Sequence, residues 1–159
     1  MSGNNRMRVA VSAALAASVL GSGLALAPSA EASTVAGTAI SFAKAQIGDP
    51  YSQVNPQGPN HWDCSGLVRA SFKKAGKSLH RVAKDQYNSS KVRTINAKDR
   101  KPGDLVFFGG SSSIYHVGIY YGWKYKGKAG GWILHSPRPG KTVRVEKLWT
   151  KSVKYKRVK

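Results

Sequence analysis

Cysteine occurs once in these 159 residues, at Cys64, and acidic side chains occur only seven times. A single thiol excludes an internal disulfide and any cysteine-cluster metal site. The carboxylates are scattered without an acidic pair, so no metal site and no cofactor is expected. Internal repeats are absent. No RNA- or DNA-binding motif occurs, which argues against a nucleic-acid partner. Against the seven acids stand 26 Lys and Arg, a formal charge of +19. Such a surface implies polyanionic surroundings: nucleic acid, anionic lipid or an acidic extracellular polymer. Hydrophobic residues, at 41%, suffice for a packed interior, and the length suits one core.

The first 32 residues read as a signal peptide. Arg6 and Arg8 precede an apolar, Ala-rich run over residues 9–27, and Ala30-Glu31-Ala32 offers small residues at both positions a signal peptidase reads. Cleavage before Ser33 leaves a folded domain at residues 33–159. Ala25-Leu26-Ala27 gives an earlier cut. An uncleaved anchor helix is the competing reading, because the run is nearly long enough to span a bilayer. The Ser and Gly content of the run and its Ala-x-Ala ending favour cleavage, and no lipobox cysteine follows. A secreted or wall-associated protein without a stable membrane anchor is therefore expected. The 127 remaining residues carry 24 basic and 6 acidic groups. Outside the cell an unpaired cysteine is open to damage unless it is buried or has work to do.

Along that domain, an apolar stripe over residues 34–47 predicts a helix that stops at Gly48 and Asp49-Pro50. Residues 52–61 are rich in Pro, Gly and Asn and read as a loop. Asp63 caps a second helix over 64–75, with Leu67, Val68, Ser71, Phe72 and Ala75 on its inner face and Gly76 after it. A short helix is expected near 83–89. After the turn Lys101-Pro102-Gly103-Asp104 the pattern changes to strands over 105–108, 116–121, 132–136, 142–147 and 153–158. Helices followed by antiparallel strands predict an α+β domain, with the helices packed on one face of the sheet. Trp123, Trp132 and Trp149 lie on or beside strands and are expected to pack the core rather than to bind sugars.

Cys64 opens the second helix, where unpaired N–H groups and the positive end of the helix dipole favour a thiolate. A base must take the thiol proton and return it to a leaving amine. His116 opens one apolar strand and His135 ends the next, so antiparallel pairing brings the two rings together. His135 can then accept a hydrogen bond from His116 and fix its tautomer. A cysteine at a helix start can equally be a small buried residue, and a strand histidine structural. The residues alone leave both readings open.

Four ordered blocks carry a resemblance: Asp63-Cys64-Ser65-Gly66-Leu67-Val68, Lys101-Pro102-Gly103-Asp104-Leu105-Val106-Phe107-Phe108, His116-Val117-Gly118-Ile119-Tyr120 and His135-Ser136-Pro137-Arg138-Pro139-Gly140. Together they resemble the NlpC/P60 family, bacterial cell-wall cysteine peptidases with a compact papain-like fold. The resemblance runs from about Thr34 onward. It implies that Cys64 is the nucleophile, His116 the general base and acid, and His135 the orienting third member. Tyr51, after Asp49-Pro50, resembles the family tyrosine beside the nucleophile. Relatives usually cut peptidoglycan stem peptides between D-glutamate and the diamino acid. Some recognise a free N-terminal L-alanine through acidic and hydroxyl groups at the positions of Asp63 and Ser65, which also read as helix cap and ordinary helix residue. Residues 52–62 depart from the usual pattern, leaving room for an amidase or acyltransferase on another substrate. A cationic wall-binding protein with an inert Cys64 is the non-enzymatic alternative. The charge is expected to meet anionic wall polymers or to serve as a solvated surface, and a monomer is expected.

Overall fold

The computed structural model describes residues 34–159; the signal peptide expected at residues 1–32 lies outside them. Helix α1 (Val35–Ala45) starts at Thr34, whose hydroxyl accepts the Gly37 N–H at 3.0 Å. It buries Ala39 and Ala43 and ends two residues before the expected Ile47, which is exposed. Helix α2 (Cys64–Lys74) is capped by Asp63, which accepts the Gly66 N–H at 2.6 Å. Its buried face holds Leu67, Val68, Ser71 and Phe72, as the stripe predicts. Ser71 keeps its hydroxyl satisfied there by donating to the Leu67 carbonyl at 2.7 Å. Helix α3 spans Ala83–Asn88.

Six antiparallel strands follow: β1 (Val92–Ile95), β2 (Leu105–Phe108), β3 (His116–Tyr125), β4 (Lys128–His135), β5 (Arg144–Lys147) and β6 (Val153–Val158), in the spatial order β1-β6-β2-β3-β4-β5. Strand β1 is absent from the sequence reading. Its Val-Arg-Thr-Ile is short, and only pairing with β6 makes it a strand. The β3–β4 hairpin is longer than expected. Gly122, one residue past the expected end at Tyr121, sits at a shift in register, where an irregular strand bends without ending. Thr142 falls outside β5 because it bridges Pro50.

Alternation along β2 assigns the two sheet faces. Leu105 and Phe107 join the helices in a core with Leu67, Val68, Phe72, Val117, Ile119 and Leu134. Val106 and Phe108 point the other way, with Ile95, Tyr120, Ile133 and Tyr155. Asp104, 1% exposed, ties β6 to this centre: its carboxylate receives Arg157 Nε at 2.6 Å and the Lys101 N–H at 2.7 Å.

The tryptophans correct the sequence reading. Trp123 and Trp149 are more than half exposed and Trp132 is half-buried; Trp62, in the supposed loop, is the one within the core. Strand alternation puts neighbouring side chains on opposite faces, and the second face is only partly covered at its rim. Trp62 organises the loop before α2. It donates its indole N–H to Asp49 at 2.8 Å, meets Phe42 edge-on, and pairs as a bridge with Tyr51 and with Gln57. The same loop brings the Pro56 carbonyl against α2, where it accepts the Asp63 N–H at 3.1 Å. A Cβ on Gly66 would stand 1.8 Å from that carbonyl oxygen. Gly66→Ala is therefore expected to cost about 1–3 kcal/mol through overpacking, measured by urea denaturation; an unchanged midpoint would show that the loop gives way freely.

Candidate active site

Asp63 starts α2 at Cys64, while β3 starts at His116 and the neighbouring β4 ends at His135. Antiparallel pairing of β3 with β4 places that start and that end at the same sheet margin. Gly118 lies beneath His135, since a Cβ there would come within 3.1 Å of the His135 Cβ. His116 Nε2 and His135 Nδ1 stand 2.8 Å apart. Cys64, His116 and His135 line one cavity of about 510 Å³, together with Tyr51, Tyr115, Arg138, Arg144, Glu146 and Trp149.

Glu146 is the residue that sequence reasoning missed. Its Oε2 lies 3.0 Å from His135 Nε2 and 3.3 Å from Arg144 Nε. Arg144 pairs directly with His135 in the β4–β5 register, and Glu146 lies two residues further along β5 on the same face. An ionised carboxylate only accepts, so His135 carries its proton on Nε2 and offers Nδ1 as acceptor. His116 then donates from Nε2, leaving its Nδ1 lone pair free to take a proton. Only a register map could have revealed this, because Glu146 sits in a run of basic residues with no motif around it.

Burial sets the resting charges. It lowers His116 to about 3, helped by the neighbouring His135. It lowers His135 to about 4, against the opposing hydrogen bond and charge of Glu146. Both rings are thus neutral at pH 7. Burial also pushes the Cys64 thiol above its ordinary value; the Val117 N–H opposes this and the Asp63 charge adds to it. The thiolate expected at a helix start is therefore not the resting form, since desolvation outweighs the N–H groups nearby. Tyr51 is likewise raised, chiefly by burial, and stays a hydroxyl donor.

Asp63 and Ser65 do not reach the cavity wall. Arg81 occupies both, meeting Asp63 Oδ2 at 2.5 Å and Ser65 Oγ at 3.0 Å. Gln86, fully buried, braces the same turn by donating to the Ser65 carbonyl at 3.0 Å and the His80 carbonyl at 2.9 Å. A carboxylate already paired with a guanidinium is a poor seat for an incoming ammonium. Trp149 is a second addition to the site. It stacks on Phe108 at 4.6 Å between ring centroids and walls the cavity beside both histidines. His61 and His80 are exposed and line no part of the cavity.

This arrangement can generate a nucleophile on demand: a neutral thiol, a base with a directed lone pair, and a relay that orients the base. The chain is similar to known proteins in sequence and in fold. The chain is 46% identical over 78 residues to the bifunctional muramidase/DL-endopeptidase CwlT of Bacillus subtilis, covering 47% of this chain and 23% of that protein. It is 40% identical over 87 residues to the gamma-D-glutamyl-L-lysine dipeptidyl-peptidase of the same organism, covering 53% and 26%. The chain thus spans about a quarter of the length of these two relatives. Among solved structures, the peptidoglycan hydrolase RipB of Mycobacterium tuberculosis superposes with a TM-score of 0.65 at 28% identity, over 79% of this chain and 65% of that one. The NlpC/P60 family pattern itself matches residues 48–159, which take in Cys64, both histidines and Glu146, and so the chain belongs to the NlpC/P60 family.

Proposed function

We propose that this protein is an exported peptidoglycan endopeptidase that hydrolyses stem-peptide amide bonds, between D-glutamate and the diamino acid, with Cys64 as nucleophile. The observation that carries the proposal is the single cavity holding Cys64 beside His116, with His116 hydrogen-bonded to His135. The names of two relatives, a DL-endopeptidase and a gamma-D-glutamyl-L-lysine dipeptidyl-peptidase, support the choice of bond. Arg138 and Arg144 on the cavity wall suit a substrate in which D-glutamate, bonded through its γ-carboxyl, keeps a free α-carboxylate beside the scissile bond.

The chemistry proceeds from neutral partners. His116 Nδ1 takes the Cys64 proton as sulfur adds to the amide carbonyl carbon. The Tyr51 hydroxyl and the first-turn amides of α2 stabilise the oxyanion. The imidazolium of His116 is held by His135, whose far nitrogen donates to Glu146, so positive charge forms beside a polarisable relay. His116 then protonates the departing amine nitrogen as the C–N bond breaks, leaving a thioester. Water, deprotonated by the same nitrogen, attacks that thioester and releases the acid and the thiol. Asp63 and Ser65 act in this scheme through Arg81, as supports of the first turn of α2, and no ammonium subsite is assigned to them. The positive surface would hold the enzyme to anionic wall polymers by exposed, salt-screened contacts.

Three outcomes test the proposal. Wild-type protein incubated with purified peptidoglycan should release soluble stem-peptide fragments, identified by mass spectrometry, and Cys64→Ala should release none. Fragments from both proteins would clear Cys64 of the role. The exported protein should begin at Ser33 when its N-terminus is sequenced from the culture fluid; recovery of an intact Met1 would overturn cleavage. Because burial raises the Cys64 thiol, its alkylation by iodoacetamide should be slow at neutral pH and keep accelerating beyond about pH 8.5, the ordinary thiol value. A fast plateau between about pH 5 and 7 would instead reveal a preformed thiolate–imidazolium pair, as lowered thiol pKa values produce.

A further inference from the structure

A second cavity, of about 620 Å³, shares one wall residue with the catalytic cavity: Trp149 lines both. Its wall carries two exposed indoles, Trp123 and Trp149, and the cations Arg100, Lys147 and Lys151, with no acidic residue. Exposed tryptophans are costly to leave in water without a use, and here they are propped in place. Trp149 has one face against Phe108. The Arg100 guanidinium lies 5.6 Å from the Trp123 ring centroid and is backed by Tyr120 and Tyr155 at 5.3 and 5.5 Å. The Nε of Arg100 is buried behind that wall with no hydrogen-bond partner.

We infer that this groove is a glycan subsite, taking the aminosugar strand from which the stem peptide hangs. Flat ring faces receive the apolar faces of pyranoses, while Lys147 and Lys151 donate to the hydroxyl and N-acetyl oxygens that recur along such a strand. The inference rests on the proposed peptidase activity for the identity of the strand. The shared wall at Trp149 selects this occupant: a strand in the groove and its side branch in the catalytic cavity are adjoining parts of one substrate. A phosphodiester polymer would pair with the cations by charge but would leave the indoles without a partner.

The test separates binding from cleavage. Cys64→Ala protein, which cannot turn over, is titrated with soluble, peptide-free oligomers of alternating N-acetylglucosamine and N-acetylmuramic acid while the indole N–H resonances are followed by NMR. Saturable shifts are expected at Trp123 and Trp149 but not at the buried Trp62. Adding Trp123→Ala should weaken binding about tenfold, the scale of one lost ring contact. Adding Lys151→Glu, at an exposed position, should weaken it as well, and a dispersed spectrum reports that each variant is folded. Absence of saturable shifts, an unchanged Kd in folded Trp123→Ala, or full displacement by inorganic polyphosphate of equal charge would each overturn the glycan subsite. Since no turnover is read, loss of the peptidase proposal would leave this result standing. Conversely, stem-peptide cleavage without glycan binding would sink the groove alone.

Discussion

The contact between Glu146 and His135 orders everything around the thiol. A carboxylate has no proton to give, so one acceptor at the far end of two hydrogen-bonded rings decides the donor on each ring in turn. The result is a lone pair on the one nitrogen of His116 that has no histidine partner. Remove the acceptor and the relay has two equivalent tautomers, only one of which leaves that nitrogen able to accept a proton. The relay also needs the sheet: His135 sits opposite Arg144, and the spacing of two along β5 delivers the carboxylate diagonally. Register in β4–β5 is therefore a chemical constraint as much as a packing one, because a one-residue slip would turn Glu146 to the other face.

Burial then gives the relay its character. Both imidazoles are held neutral and the thiol is held protonated, so the resting site carries no separated charge pair. Charge arises when the proton moves, in a cavity whose walls include Arg138, Arg144 and the aromatic faces of Trp149 and Tyr115. The loop before α2 contributes by clamping: Trp62 locks Tyr51 beside the start of the helix, and the Ser136 hydroxyl donates to the Trp62 carbonyl at 2.7 Å, joining the loop to the end of β4.

Much of this was legible in the residues, for local reasons. Strands β2 and β6 match the sequence reading to the residue, since β-branched and aromatic runs there are bounded by turns on both sides. Cys64, His116 and His135 were legible because each stands at an element boundary, marked by a cap, a turn or a proline two residues on. What stayed hidden depends on partners distant in sequence. Glu146 needs the register, β1 needs β6, and the pairing of Asp63 with Arg81 joins residues 18 apart, with the whole of α2 between them. The thiol state was misjudged because a helix start advertises its N–H groups in the sequence while desolvation appears only in three dimensions. The exposed indoles were misjudged because a strand pattern shows alternation but not which face is finally covered.

The scarcity of carboxylates takes on another meaning in the folded molecule. Asp49 holds the Trp62 indole, Asp63 the Arg81 guanidinium, Asp104 the Arg157 guanidinium and Glu146 the His135 ring. These acids are spent on internal joints, so the surface lysines have few internal counter-charges to satisfy them. Such a particle is wrapped in mobile anions rather than in its own salt bridges, and two copies approaching each other meet uncompensated repulsion. On a polyanionic matrix the same imbalance favours many brief, interchangeable contacts over one fixed berth, so that copies disperse across the matrix instead of clustering where they first arrive.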